Sequence, residues 1–300
     1  MGNVRCVDPR LRREPESEHP ERPQLMLFRR MLPATALVTA LTLTAACGSE
    51  SGDTLAGKAD DGELTIGIRF DQPGLGQRRL DGKYVGFDVD VAKYVAAQFG
   101  VDESGITWKE ARSADREKLI EDGAVDFVVA TYSITDKRKE QVSFAGPYFQ
   151  TGQGVLVRYT DDQIAGPETL NGKKLCSVAG STSAQKVKEQ FAQDVQLVEY
   201  GQYSDCVVAL LAENVDAVTT DEVILAGYVA ENPELLKLVG EPFTTERYGI
   251  GLAKSDAKGR AEVSAAIEKM VGSGEWRSAL ERNIGQADVQ LPEPPKVTEK

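Results

Sequence analysis

Four groups of polar residues follow directly on short apolar runs, and their types suit the binding of a small ion. Arg69 comes after LTIGI and is followed by Phe70, Asp71 and Gln72. Ala130, Thr131, Tyr132 and Ser133 come after DFVV, with Arg138 a few residues on. Gly180, Ser181 and Thr182 follow KLCSVA, and Asp221 closes AVTT. Arg138 offers a bidentate fork for a carboxylate, with the Ser133 hydroxyl and nearby backbone N–H groups as further donors. The Gly180-Ser181-Thr182 turn opens a helix and presents N–H groups to an anion. Asp221 would accept from an ammonium. Singly, each has a plainer reading: Arg138 in TDKRKEQ is a solvated charge, and Ser181 and Asp221 are helix caps. Placed together at strand ends, they complement an amino-acid zwitterion.

Other chemistry is excluded by what the chain lacks. Its 300 residues contain one histidine, His19, which falls in an N-terminal stretch expected to be removed. Without it there is no Ser-His-Asp triad, no Cys-His dyad and no His-containing zinc site. No metal site, cofactor or catalytic residue is expected, and no Walker A motif is present. A net charge of −12 argues against nucleic acid as a partner. Met26-Leu27-Phe28-Arg29-Arg30, an apolar run to Ala46 and then Cys47 read as a secretory signal, too short for an ordinary spanning helix. Residues 1–46 are thus expected to be leader and signal peptide, with Met26 the true start. Their removal takes seven Arg and five Asp or Glu, leaving 28 basic and 42 acidic residues. Thr44-Ala45-Ala46-Cys47 resembles a lipobox, which makes Cys47 the expected lipidation site and membrane anchor. Cys176 and Cys206 then remain as an even pair in an oxidising compartment, where a disulfide is the default.

The elements that must position these residues alternate. Strands are expected at 64–69, 106–109 and 127–130, with helices at 88–99, capped by Asp88, and from Ser113 to about Gly123. The pattern recurs with strands at 174–178, 195–200 and 216–219 and helices at 181–192 and 204–213. LIEDGAVDFVVAT and LLAENVDAVTT both run from a helix end through Val-Asp into a strand that finishes on hydroxyls. The expected fold is α/β with two lobes, each a mostly parallel sheet flanked by helices. Residues 63–152 plus 249–288 form the first lobe and 153–248 the second, joined by a two-strand hinge. Residues 47–62 are expected to be a flexible tether and 289–300 a disordered tail. Ligands of open α/β sheets bind at the carboxyl ends of the strands, here an interlobe cleft.

GFDVDVAKYVAAQFG, VDFVVATYSITDKRKEQVSFAGPYF and VDAVTTD resemble the polar amino-acid solute-binding proteins, family 3, of bacterial ABC importers, and IRFDQPGLGQR resembles the glutamate-binding lipoproteins of actinobacteria. The resemblance implies a two-lobe, periplasmic-binding-protein-like fold of type II. It implies that Arg138, Ser133, Ser181 and Thr182 hold the ligand α-carboxylate, and Asp221 and the Ala130 carbonyl its ammonium. Arg69 matches a position that is basic in glutamate and aspartate binders and meets the side-chain carboxylate; Gln72 and Arg116 are further candidates at that end, whereas Arg78 reads as solvated. The expected function is capture of L-glutamate, or of aspartate, glutamine or asparagine, by hinge closure. A monomeric lipoprotein would then deliver it to permease subunits served by a separate ATPase. A sensor lipoprotein signalling to a membrane partner, or a dehydratase-like enzyme on the same scaffold, are the alternatives. With Arg138 and Asp221 dominant, binding is expected to be nearly flat between about pH 6 and 8.

Overall fold

The structure, a computed structural model, describes residues 54–285 and 291–300. The leader, Met26, Cys47 and the first part of the expected tether lie outside the described residues.

In chain order the elements are α1 (Leu55–Ala59), β1 (Leu64–Ile68), β2 (Asp71–Gln72), β3 (Gly76–Arg78), β4 (Tyr84–Val85), α2 (Phe87–Gln98), β5 (Ile106–Glu110), α3 (Arg116–Glu121), β6 (Phe127–Val128), α4 (Asp136–Lys139), β7 (Ser143–Thr151) and β8 (Gln153–Arg158). They continue with β9 (Lys174–Val178), α5 (Ser183–Gln190), β10 (Gln196–Tyr200), α6 (Tyr203–Leu211), β11 (Ala217–Asp221), α7 (Glu222–Glu231), β12 (Leu236–Val239), β13 (Glu246–Leu252), α8 (Ala257–Gly272) and α9 (Glu275–Ile284).

Two five-stranded sheets result, ordered β5-β1-β6-β13-β7 and β10-β9-β11-β8-β12. In each, the pairings leave four strands running one way and one reversed, β13 in the first sheet and β8 in the second. The reversed strands are those that begin just after the chain crosses between sheets. The crossings lie side by side, because Gln153 N–H donates to Thr244 Oγ1 at 3.0 Å and Phe243 N–H to the Gln153 carbonyl at 3.0 Å. Strand interiors such as Ile66, Ile68, Phe127, Leu156 and Val218 are fully buried, as the short continuous apolar runs require. The second lobe carries a disulfide between Cys176 on β9 and Cys206 on α6, with Cα atoms 5.7 Å apart.

Three expectations are corrected. Asp88 does not cap α2: Gly86 precedes the helix at φ +125°, where an added Cβ would lie 2.1 Å from the Leu75 carbonyl oxygen, and Asp88 is fully buried inside the first turn. The tether is ordered from residue 54, because Leu55 and Ala59, four apart on one helical face, are buried, and Lys58 pairs with Asp126 at 2.9 Å. The end of the chain is not a loose tail. Val297 is buried, Thr298 and Glu299 N–H groups donate to the Gly146 carbonyl at 2.8 Å, and Lys139 pairs with Glu299 at 2.5 Å. A Pro-rich, charged composition hid one apolar anchor and a backbone pairing that sequence periodicity does not reveal.

Candidate functional site

The ends of β1, β6, β9 and β11 converge where the two sheets face each other. Ser113, Arg116, Thr131, Ser133 and Arg138 of the first lobe line one side of a small polar cavity. Ser181, Thr182, Tyr203, Thr220 and Asp221 of the second line the other. The lobes are drawn together around it. Gly180, at φ +77°, approaches so closely that a Cβ there would stand 2.7 Å from the backbone of Ala114. Arg138 Nη2 donates across the cleft to the Gly180 carbonyl at 3.0 Å.

Arg116 is buried, at 2% exposure. Its Nη2 donates to Ser113 Oγ at 3.0 Å, while Nε and Nη1 make only long contacts, 3.4 and 3.5 Å, to the Ala111 and Thr131 carbonyls. Among the described residues no carboxylate forms an ion pair with it. Burial, with the charges of Arg138 and Arg69, pushes its pKa down to about 10. A buried cation held only by neutral acceptors is unfavourable by several kcal/mol, roughly, unless an anion joins it.

Arg138 is better satisfied. Its Nη1 donates to the Ser133 carbonyl at 2.8 Å, and Nε lies 3.4 Å from Glu117. Both guanidinium groups stand over the Tyr132 ring, with Arg116 at 5.0 Å and Arg138 at 5.1 Å from its centroid. Burial and the Glu117 charge hold the Tyr132 phenol well above its usual value, so it stays neutral.

Opposite them, Asp221 is buried and accepts from the Tyr248 hydroxyl at 2.5 Å. Burial raises its pKa to about 7, helped by the neighbouring charge of Glu246 and opposed by the Tyr248 hydrogen bond. A carboxyl titrating near 7 would fall within the range over which binding is expected to be flat, an expectation that takes Asp221 as permanently ionised.

The other expected residues fall in two layers. Ser181 Oγ accepts from the Tyr203 hydroxyl at 3.0 Å, and Thr182 Oγ1 accepts from Gln153 Nε2 at 3.1 Å; both line the cavity. The Ala130 carbonyl accepts from the Thr131 hydroxyl at 2.8 Å. Arg69 and Gln72 stand behind the lining. Arg69 Nε and Nη2 donate to Asp71 Oδ1 at 3.0 and 2.8 Å, its guanidinium lies 5.8 Å from the Tyr203 ring centroid, and its buried Nη1 has no partner among the described residues. Gln72 Oε1 lies 3.2 Å from Thr131 Oγ1. Arg78 is exposed, in keeping with the solvated reading.

Sequence reasoning does not reach Tyr203, Gln153 or Thr220 and places Ser113 only at the start of a helix. Thr220 was legible in retrospect as the hydroxyl at the end of β11, matching Thr131 at the end of β6. Tyr203 starts a helix after an exposed strand and carries no pattern that marks it.

The family model for bacterial extracellular solute-binding proteins, family 3, matches residues 64–286. The chain is 46% identical over 272 residues to the glutamate-binding protein GluB of Corynebacterium efficiens, covering 87% of this chain and 92% of that one. It is 47% identical to GluB of Corynebacterium glutamicum, covering 88% and 92%. Among solved structures, an ancestral arginine-binding protein bound to glutamine matches with a TM-score of 0.70 at 35% identity, covering 75% of this chain and 98% of that one. These relatives are binding proteins rather than enzymes. With two α/β lobes around a charged cavity and a family match that spans both, the chain belongs to the family 3 bacterial extracellular solute-binding proteins, proteins that bind amino acids.

Proposed function

We propose that this chain captures L-glutamate between its lobes and delivers it to the permease of an ABC importer. The observation that carries the ligand is Arg116. An amino-acid zwitterion needs one cation and one anion, which Arg138 and Asp221 supply; a dicarboxylate needs a second cation. Arg116 is buried against the same cavity with no anion of its own. In this reading Arg138, Ser133, Ser181 and Thr182 hold the α-carboxylate, Asp221 receives the ammonium, and Arg116 takes the side-chain carboxylate. Arg69 acts from behind Tyr203 with its one open donor, and Gln72 supports Thr131. The glutamate-binding relatives point the same way.

Capture follows from closure. Ligand groups bridging Arg138 and Asp221 touch both lobes only when they are together, and that differential contact shifts the population to the closed form. The closed form then docks on permease subunits whose ATPase is a separate chain. Lipidation of Cys47 would hold the monomer at the outer face of the membrane.

Calorimetry with L-glutamate, L-aspartate, L-glutamine and L-asparagine tests the ligand. Glutamate should bind most tightly, and Arg116→Ala should weaken glutamate by at least about thirtyfold while changing glutamine far less, since a desolvated charge pair is lost in one case only. Equal binding of glutamate and glutamine by the unmutated chain would refute the assignment.

A further inference from the structure

The segment GFDVD carries an aspartate that neither the ligand contacts nor helix capping accounts for. Asp88 is fully buried, and its two oxygens are each used once: Oδ2 accepts from Thr131 N–H at 2.7 Å and Oδ1 from the Tyr148 hydroxyl at 2.7 Å. A buried carboxylate is unfavourable, and burial raises its pKa to about 6 against the opposing hydrogen bonds of Tyr148 and Thr131.

What Asp88 holds is unusual. Thr131 is one of two non-glycine residues with positive φ among the described residues, at +47°, and it is β-branched. For such a residue the left-handed region costs on the order of 1–3 kcal/mol and persists only where surrounding contacts enforce it. All three polar groups of Thr131 are engaged. Its N–H goes to Asp88, its carbonyl receives Arg116 Nη1, and its hydroxyl donates to the Ala130 carbonyl and lies 3.2 Å from Gln72 Oε1. The same residue lines the cavity.

We infer that Asp88 is a positioning residue for the ligand site: its carboxylate clamps Thr131 in the left-handed conformation, and that turn sets where the Thr131 carbonyl meets Arg116 and what the cavity wall presents to a ligand. The inference rests on the amino-acid cavity proposed above, but not on which amino acid fills it. Asp88 itself does not line the cavity, whereas Thr131 does.

A double-mutant cycle tests it, with affinity and melting temperature measured on the full chain for Asp88→Asn, Thr131→Gly and the pair. Asparagine keeps the size of Asp88 and loses the charge-assisted bond to the Thr131 N–H. Glycine adopts positive φ without a clamp. Asp88→Asn alone should weaken L-glutamate binding by about fivefold or more, yet change it by less than about twofold in the Thr131→Gly background. Equal effects in both backgrounds, or no effect on affinity in either, would overturn the inference; a purely structural Asp88 would shift the melting temperature alike in both backgrounds and leave affinity unchanged. If the unmutated chain proves to prefer L-glutamine, the cycle is run with L-glutamine, so failure of the glutamate reading shows in the unmutated chain and failure of the clamp only in the cycle.

Discussion

Asp221 has opposite demands placed on it by folding and by binding. Its carboxyl keeps its proton up to about pH 7, against 3.8 for an ordinary aspartate. Between those values the folded chain holds a proton the unfolded chain has released, so the contribution to stability is greatest on the acid side and is lost as pH rises through 7. Asp88, raised to about 6, acts with the same sign. In the proposed site an ammonium beside Asp221 would favour the ionised form, so ligand binding would expel the proton. Affinity should therefore hold steady above about pH 7 and weaken below it, by up to about tenfold per pH unit. Calorimetry in buffers of different ionisation enthalpy would show the released proton directly; uptake, or no proton exchange at pH 6, would contradict it. Asp221→Asn should raise the melting temperature at pH 7.5 by roughly 2 °C or more while removing measurable binding, a trade expected where a buried charge is kept for function.

At the scale of elements, the structure adds a strap that composition alone does not suggest. Residues 291–300 lie along the first lobe: Ser264 Oγ donates to the Glu299 carbonyl at 2.8 Å, Arg277 pairs with Glu293 at 2.8 Å, and Lys300 pairs with Glu268 at 2.5 Å. Deleting 291–300 should lower the melting temperature, by about 1–3 kcal/mol of stability, because Val297 and the Glu299 bonds are lost together. An unchanged melting curve would mean the strap does not hold in solution. Regular elements with apolar periodicity were legible in the sequence. β9 runs from Lys174 to Val178 as expected, and β10 begins one residue from the expected place. The long strand β7, the small β2-β3-β4 sheet and the helix α7 were not. Helix α7 is buried on nearly every side, from Val223 to Tyr228, so it shows no amphipathic stripe to read. In the site, residues at the ends of legible strands could be named, but their partners could not. That Asp71, two residues on, occupies both Nε and Nη2 of Arg69, and that no carboxylate among the described residues pairs with Arg116, are matters of side-chain geometry that spacing does not give.

For the whole molecule, the two lobes touch through more than the cavity. Asp71 Oδ2 accepts from the N–H groups of Tyr203 and Ser204 at the start of α6, at 2.7 and 3.3 Å, while its other oxygen holds Arg69. Gln202 Nε2 reaches Glu110 at 2.6 Å, and Gln77 Nε2 reaches Glu231 at 3.0 Å. These contacts join the lobes without passing through the cavity, and in the proposed closing motion they would favour the closed form. Asp71→Asn should open the empty protein, giving a larger radius of gyration by small-angle X-ray scattering without ligand and an unchanged one at saturating ligand. The same radius as the unmutated chain in both conditions would show that Asp71 does not latch the lobes.

Both ends of the described chain belong to one lobe. The Leu55 N–H at the start of α1 donates to Asp256 Oδ2 at 2.6 Å, and the strap at the other end is bonded to Gly146. The second lobe is an insertion with no free end. A pair of fluorophores fixed at the two ends would ride on the same body and stay silent during the proposed closure. A working optical sensor built on this scaffold needs one reporter between residues 153 and 239, where the exposed Val208 on α6 offers a place clear of the cleft.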